Sequence, residues 1–140
     1  MQYFDYRTRV IYRDTDRMGV SYYANYFVWF EAARTEYFRA LGLPYTECEK
    51  KGIFLPVIEA HAKYIAPSTY DDELIVRTSV SKFTPSTVRF EYVILNAANE
   101  KVLTEGYTVH VFVDREMKPC RVPDEVESLV TVHSLIFSKK

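Results

Sequence analysis

The densest run of polar chemistry in the chain is Tyr12-Arg13-Asp14-Thr15-Asp16-Arg17-Met18-Gly19-Val20-Ser21-Tyr22-Tyr23-Ala24-Asn25-Tyr26. Asp14 and Asp16 stand two residues apart, and three kinds of chemistry use such a pair. A calcium loop begun at Asp14 puts Asp16 third and Gly19 sixth, as that loop needs. Met18 then falls fifth and Asn25 twelfth, which removes two oxygen ligands, so the reading fails. A D-x-D phosphotransferase site belongs on a parallel sheet with crossover helices, and this chain offers a single long helix. The third reading is one carboxylate placed just ahead of a helix N-terminus. Free backbone N–H groups and the positive end of the helix dipole face whatever binds there. They can stabilise an oxyanion while the carboxylate attacks or activates water. A plain role competes with each of these. Asp14 is expected to cap the turn through its side chain, and Asp16 can do the same.

The remaining reactive residues read as structural. Glu59 belongs to a solvated strand face. His61 and His110 are lone strand histidines, and Tyr26 is core. Cys48 sits in a charged stretch, Glu47 to Lys51, with no histidine positioned to activate it. Cys48 and Cys120 form no C-x-x-C, so a structural zinc site has no ligand framework and a disulfide is not expected.

The elements that must position the turn follow from periodicity. Phe4, Tyr6, Thr8, Val10 and Tyr12 alternate with Asp5, Arg7 and Arg9, which predicts a strand over Phe4–Tyr12. Asn25–Leu41 is the long helix. Tyr26, Trp29, Phe30, Ala33, Tyr37 and Leu41 recur at helical spacing, opposite Glu31, Arg34, Thr35 and Arg39. Gly42, Leu43 and Pro44 end it, with Gly42 suited to a left-handed C′ position. Four strands are expected next, over Pro56–Tyr64, Leu74–Phe83, Val88–Leu95 and Val102–Val113. Short turns at Thr84–Ser86 and Asn96–Glu100 make the later ones antiparallel neighbours. Asp124 caps a brief C-terminal helix through Val126, Leu129 and Val130. One helix against one curved antiparallel sheet is an α+β layout. It leaves a sheet face and an edge uncovered, so a partner subunit is expected.

Composition narrows the function classes. With 140 residues, the chain reads as one domain over 1–140, long enough for a core of its own. Lys+Arg total 18 against 19 for Asp+Glu, which gives no support to a nucleic-acid or membrane-surface role driven by bulk charge. No apolar run is long enough for a spanning helix. No apolar leader marks export, so a cytoplasmic location is expected.

The segment Asp14-Thr15-Asp16-x-x-Gly19-Val20-x-Tyr22-x-x-x-Tyr26 resembles the signature that precedes the central helix in hotdog-fold acyl-CoA thioesterases of the 4-hydroxybenzoyl-CoA thioesterase type. Ala33-Arg34-Thr35-Glu36 is similar as well. So is a second block, Pro56-Val57, Tyr64, Pro67 and Tyr70-Asp71-Asp72-Glu73-Leu74. The resemblance runs from Val10 to Glu125. It implies a hotdog fold, a five-stranded antiparallel sheet wrapped around one long helix, assembled as a dimer or a dimer of dimers. It implies hydrolysis of an acyl-CoA or acyl carrier protein thioester, with Asp16 catalytic and the backbone N–H of Tyr23 polarising the carbonyl. Gly19 and Tyr22 fall to substrate binding, Gly19 letting the loop pass close to the substrate. Many relatives carry His where this chain has Tyr23, and a backbone role survives that change. The Thr84–Thr87 turn lacks the basic cluster that some relatives offer to CoA phosphates, which leaves Lys63, Lys82 and Arg89 as substitutes. A non-catalytic acyl-thioester-binding or scaffold protein of the same fold is the main alternative. A dehydratase is a third, for which the paired His and acid are missing. The sequence shows neither a metal-ligand cluster nor a dinucleotide fingerprint, so no cofactor is expected. Turnover is therefore expected to survive a chelator; loss on chelation with recovery by one specific divalent ion contradicts this.

Overall fold

The computed structural model describes the backbone of residues 3–42 and 45–137. Strand β1 spans Phe4–Arg9, helix α1 Asn25–Ala40, and a short helix α2 Tyr45–Lys50. Strands β2 (Val57–Tyr64), β3 (Glu73–Phe83), β4 (Thr87–Asn96) and β5 (Val102–Val111) follow, and helix α3 spans Asp124–Phe137. The five strands form one antiparallel sheet in the order β1-β3-β4-β5-β2. The expected wrap of one sheet on one long helix is therefore present. Strand β2 crosses over to pair with β5, which leaves β1 and β2 as the two edges.

Three expectations need correction, and the Tyr45–Lys50 helix was not assigned from the sequence. The first strand stops at Arg9 and not at Tyr12. The Asp14 carboxylate takes the Ile11 N–H at 3.0 Å, and Tyr12–Asp14 turn as a single 3₁₀ turn. The fifth strand ends at Val111, because Val113 leaves the ladder to bridge Phe54 and Pro119. The Tyr45–Lys50 segment is helical, anchored by the buried Cys48. The last helix is 14 residues long, with Val126 and Val130 in the core. Gly42 has φ +88°, the left-handed conformation foreseen for it; Leu43 and Pro44 lie outside the described residues.

The core is an aromatic stack between α1 and the sheet. Tyr26, Trp29, Phe30, Ala33, Tyr37 and Leu41 are all buried. Phe30 stacks flat on Tyr92, with centroids 4.3 Å apart and planes at 9°. This close approach depends on Gly106. A Cβ there would lie 2.8 Å from the Phe30 ring and 2.5 Å from the His61 carbonyl.

A polar chain runs through this core. An Arg34 guanidinium N–H approaches the Tyr92 hydroxyl at 3.4 Å. Tyr92 meets the Thr108 hydroxyl at 2.7 Å, and Thr108 meets His110 Nε2 at 2.8 Å. His110 Nδ1 lies 3.0 Å from the Leu55 carbonyl. One proton arrangement satisfies every member. Tyr92 donates to Thr108, Thr108 donates to a neutral His110 at Nε2, and Nδ1–H donates to Leu55. A proton added at Nε2 breaks this order. Burial, first, and the Arg34 charge hold the His110 imidazole down at about 4, against the favourable bond to Leu55. Because its folded value lies below its unfolded 6.5, the unfolded state binds more protons between pH 6.5 and 4. Stability should fall by about 3 kcal/mol as pH drops through that window. Urea melts at pH 7 and pH 4 should show this loss in the wild type and a smaller one in His110→Gln; equal losses contradict the assignment.

Candidate active site

The Asp14–Asn25 segment is a short hairpin joined to the start of α1. Thr15 bridges Ser21, and the Asp16 N–H donates to the Val20 carbonyl at 2.9 Å. Gly19 N–H donates to the Asp16 carbonyl at 3.0 Å, which makes Arg17 and Met18 the central pair of the turn. Gly19 has φ +81°, so the turn itself demands glycine. A Cβ on Gly19 would meet no protein atom within 4 Å.

The hairpin is pinned to the helix by one carbonyl. Asp14 C=O accepts the Tyr22 N–H at 2.7 Å and the Asn25 Nδ2–H at 2.8 Å. The carbonyls of Tyr22, Tyr23 and Ala24 accept from Asn25, Tyr26 and Phe27 and open the helix. Among the described residues, the N–H groups of Tyr23 and Ala24 donate to no protein acceptor. They are the orphan donors of a helix N-terminus. The hairpin is also tied to the loop after β2. Ser21 N–H donates to Ser68 C=O at 2.8 Å, and the buried Ser21, Ser68 and Tyr26 hydroxyls form a chain of 2.6 and 3.0 Å.

The two carboxylates behave differently. Asp14 is half-buried and caps the turn, as expected. Asp16 is exposed, and its Oδ1 accepts the Met18 N–H at 2.8 Å. Its other oxygen has no protein partner among the described residues. One bond thus orients the carboxylate and leaves Oδ2 unengaged by the described residues.

Tyrosines surround the junction. Tyr22 and Tyr23 rings lie 4.8 Å apart, and both are exposed. The hydrogen bond to Tyr23, then that phenol's charge, raises the Tyr22 phenol above its usual range, so it stays protonated at neutral pH. Tyr64 packs edge-on to Tyr23 and Tyr26 and donates its hydroxyl to the Tyr23 carbonyl at 2.9 Å. Burial raises its phenol too. Sequence reading left Tyr64 and Asn25 out of the site. Each acts on backbone, Tyr64 across 41 residues, and for Tyr64 the signals were the strand alternation and its place in the second block of the resemblance.

The cations suggested for CoA are not gathered here. Lys63 is exposed and adjoins Tyr64, on the opposite face of β2. Lys82 and Arg89 face each other across β3 and β4. They lie roughly 30 Å along β3 from its Glu73 end, at about 3.3 Å per residue, and Glu73 follows the loop that meets the hairpin. Arg89 bonds Glu91 at 2.6 Å and covers the Tyr107 ring at 3.8 Å. Tyr107 in turn donates to Glu59. Cys48 is buried, which pushes its thiol up and away from nucleophilic use. Among the described residues, no three of His, Cys, Asp and Glu converge as a metal site, and no helix is long and apolar enough to cross a membrane.

Known proteins share this fold. The family model of the thioesterase-like superfamily matches residues 10–130. A putative acyl-CoA thioesterase, YneP, of Bacillus subtilis is 36% identical over 107 residues, 76% of this chain and 77% of that one. The acyl-CoA thioesterase YbgC of Haemophilus influenzae is 35% identical, over 89% of this chain and 92% of its own. The DHNA-CoA thioesterase structure from Staphylococcus aureus superposes with a TM-score of 0.89 at 32% identity, covering 100% of this chain and 97% of that one. With the helix-wrapping sheet and the carboxylate turn already in place, the chain belongs to the thioesterase-like superfamily, the hotdog-fold acyl-CoA thioesterases that its sequence resembles.

Proposed function

We propose that the chain hydrolyses an acyl-CoA or acyl carrier protein thioester with Asp16 as the reacting carboxylate and the Tyr23 N–H as the oxyanion partner. The observation that carries this is the pairing, across one hairpin, of a carboxylate with one unengaged oxygen and a helix start with unengaged donors. A thioester carbonyl is already activated, and its thiolate leaves with little acid assistance. The chemistry needs an oriented nucleophile and a place for the negative oxygen. Asp16 Oδ2 attacks the carbonyl carbon, the C–S bond breaks, and water cleaves the resulting anhydride. In the alternative course, Asp16 takes a proton from the water that attacks directly. Gly19 and Tyr22 border the substrate path.

Assembly is part of the proposal. No residue of β2 is buried, and Val57, Ile58, Tyr64 and Ile65 are exposed at its two ends. Among the described residues strand β2 pairs only with β5, so its outer edge carries N–H and C=O groups outside the sheet's ladder. A second copy pairing antiparallel along β2 satisfies that edge and covers both apolar ends at once. It also brings the Val57 end of one strand beside the Tyr64 end of the other. In such a dimer Lys82 and Arg89 reach a thioester only from the other subunit. Sedimentation at micromolar concentration should show a dimer or tetramer, and Ile58→Asp should shift it toward monomer. A wild-type monomer contradicts the arrangement.

Asp16→Asn keeps the shape and the Met18 bond, so folding and assembly should be unchanged. Turnover of acyl-CoA should fall by about two orders of magnitude or more. Asp14→Asn should act mainly on stability, through the Ile11 cap. Near-wild-type turnover in Asp16→Asn would contradict Asp16 as the reacting carboxylate, and absence of turnover in the wild type would favour a non-catalytic binding protein. Single turnover in ¹⁸O-labelled water separates the two courses, since only the anhydride course can put label into Asp16.

A further inference from the structure

The donors at the start of α1 belong to peptide groups, and a peptide N–H donates more strongly when the carbonyl of the same peptide accepts a bond. The two unengaged N–H groups differ in what their carbonyls accept. Tyr23 N–H shares its peptide with the Tyr22 carbonyl, which accepts the Asn25 N–H at 3.0 Å. Ala24 N–H shares its peptide with the Tyr23 carbonyl. That carbonyl accepts the Tyr26 N–H at 3.3 Å, long for an N–H···O bond, and the Tyr64 hydroxyl at 2.9 Å. The phenol is therefore the stronger of its two partners. Among the described residues, Tyr64 makes the one side-chain hydrogen bond to the carbonyls of Tyr22, Tyr23 and Ala24.

The place of this hydroxyl is fixed from several sides. Tyr64 ends β2 opposite Thr104 of β5, and the next N–H, that of Ile65, donates to Leu103 C=O at 2.8 Å. The sheet thus holds the strand end. The Tyr64 ring meets Tyr26 edge-on at 5.1 Å and Tyr23 at 6.3 Å. Tyr26 is itself buried, with its hydroxyl 3.0 Å from that of Ser68. Burial, first, and the charges of Tyr26 and Tyr23 raise the Tyr64 phenol, which keeps it protonated and donating at neutral pH. It donates to a carbonyl that the helix already engages, and it leaves the N–H of that peptide open.

We propose that Tyr64 is a positioning residue for thioester cleavage: its hydroxyl orients and polarises the Tyr23–Ala24 peptide, so that the Ala24 N–H joins the Tyr23 N–H in holding the negative oxygen. Tyr64 loses no proton in any step. Its bond to the Tyr23 carbonyl persists while charge builds on the substrate oxygen, and that charge strengthens the line from phenol through peptide to oxygen. The gain is largest when the oxygen is negative, so Tyr64 acts on kcat more than on KM. This inference rests on the thioesterase reading and on the oxygen's place at the helix start.

Tyr64→Phe removes the hydroxyl and keeps the ring against Tyr23 and Tyr26. In acyl-CoA turnover by the full-length protein, kcat should fall by about tenfold, because one oxyanion donor is weakened and not removed. KM should stay within about twofold. Incorporation of 3-fluorotyrosine in place of Tyr64 gives a stronger donor of nearly the same size. At a pH where that phenol stays protonated, kcat should rise above the wild type. A carbonyl-¹³C-labelled acyl-CoA bound to Asp16→Asn should show its carbonyl stretch at lower frequency than in water. Adding Tyr64→Phe should reverse part of that shift. A kcat indifferent to donor strength, a Tyr64→Phe loss carried by KM, or a stretch unmoved by Tyr64→Phe overturns the role of Tyr64, while an active wild type still upholds the thioesterase reading. A wild type that cleaves no thioester overturns both.

Discussion

The Asp14 carbonyl is the constraint on which the site depends. It accepts two donors, the Tyr22 N–H and the Asn25 side chain, at 2.7 and 2.8 Å. By taking the Tyr22 N–H it fixes which donors are left over, and those are Tyr23 and Ala24. By holding Asn25 it sets the helix entry against the hairpin. The helix has no side-chain cap at Ala24, so this carbonyl clamp, with Tyr64 on the Tyr23 carbonyl, replaces the usual capping residue.

Everything beneath the clamp serves to keep α1 in one place. The flat Phe30–Tyr92 contact, admitted by Gly106, sets the helix against the sheet. The Arg34–Tyr92–Thr108–His110 chain adds direction to that packing, since each of its members has one role in the proton order. Its far end holds the Leu55 carbonyl, just ahead of β2. The core thus reaches from the helix to the edge strand on which assembly is proposed. That edge stays open in the single chain because β2 is the last strand of the sheet and, among the described residues, pairs with β5 alone.

Much of this was legible in the sequence. The helix was, because six apolar residues at helical spacing can bury only one way, and all six are buried. The sheet strands were, because short turns and alternation leave little choice for β3 to β5. That the Asp16 turn adjoins the helix start was also readable. What was not legible depends on contacts far apart in sequence or on backbone atoms. Alternation runs on through Tyr12, yet the Asp14 carboxylate bends the chain at Ile11. The Tyr45–Lys50 helix is too short and charged to show a period, and is held by Cys48 in the core. The Asp14 carbonyl clamp and the Tyr64 bond carry no residue-type signature at their backbone ends. Arg89 looked like a free cation until the sheet placed Glu91 and Tyr107 against it.

The central claim is that a thioester carbonyl sits between Asp16 and the start of α1. A crystal structure with a non-cleavable acyl-CoA ketone, in which a methylene separates the carbonyl from sulfur, tests it most directly. The account predicts the ketone oxygen within hydrogen-bond distance of the Tyr23 N–H and the Asp16 Oδ2 facing the carbonyl carbon. A bound ketone whose oxygen lies away from the helix start, or whose carbon Asp16 does not face, would contradict it.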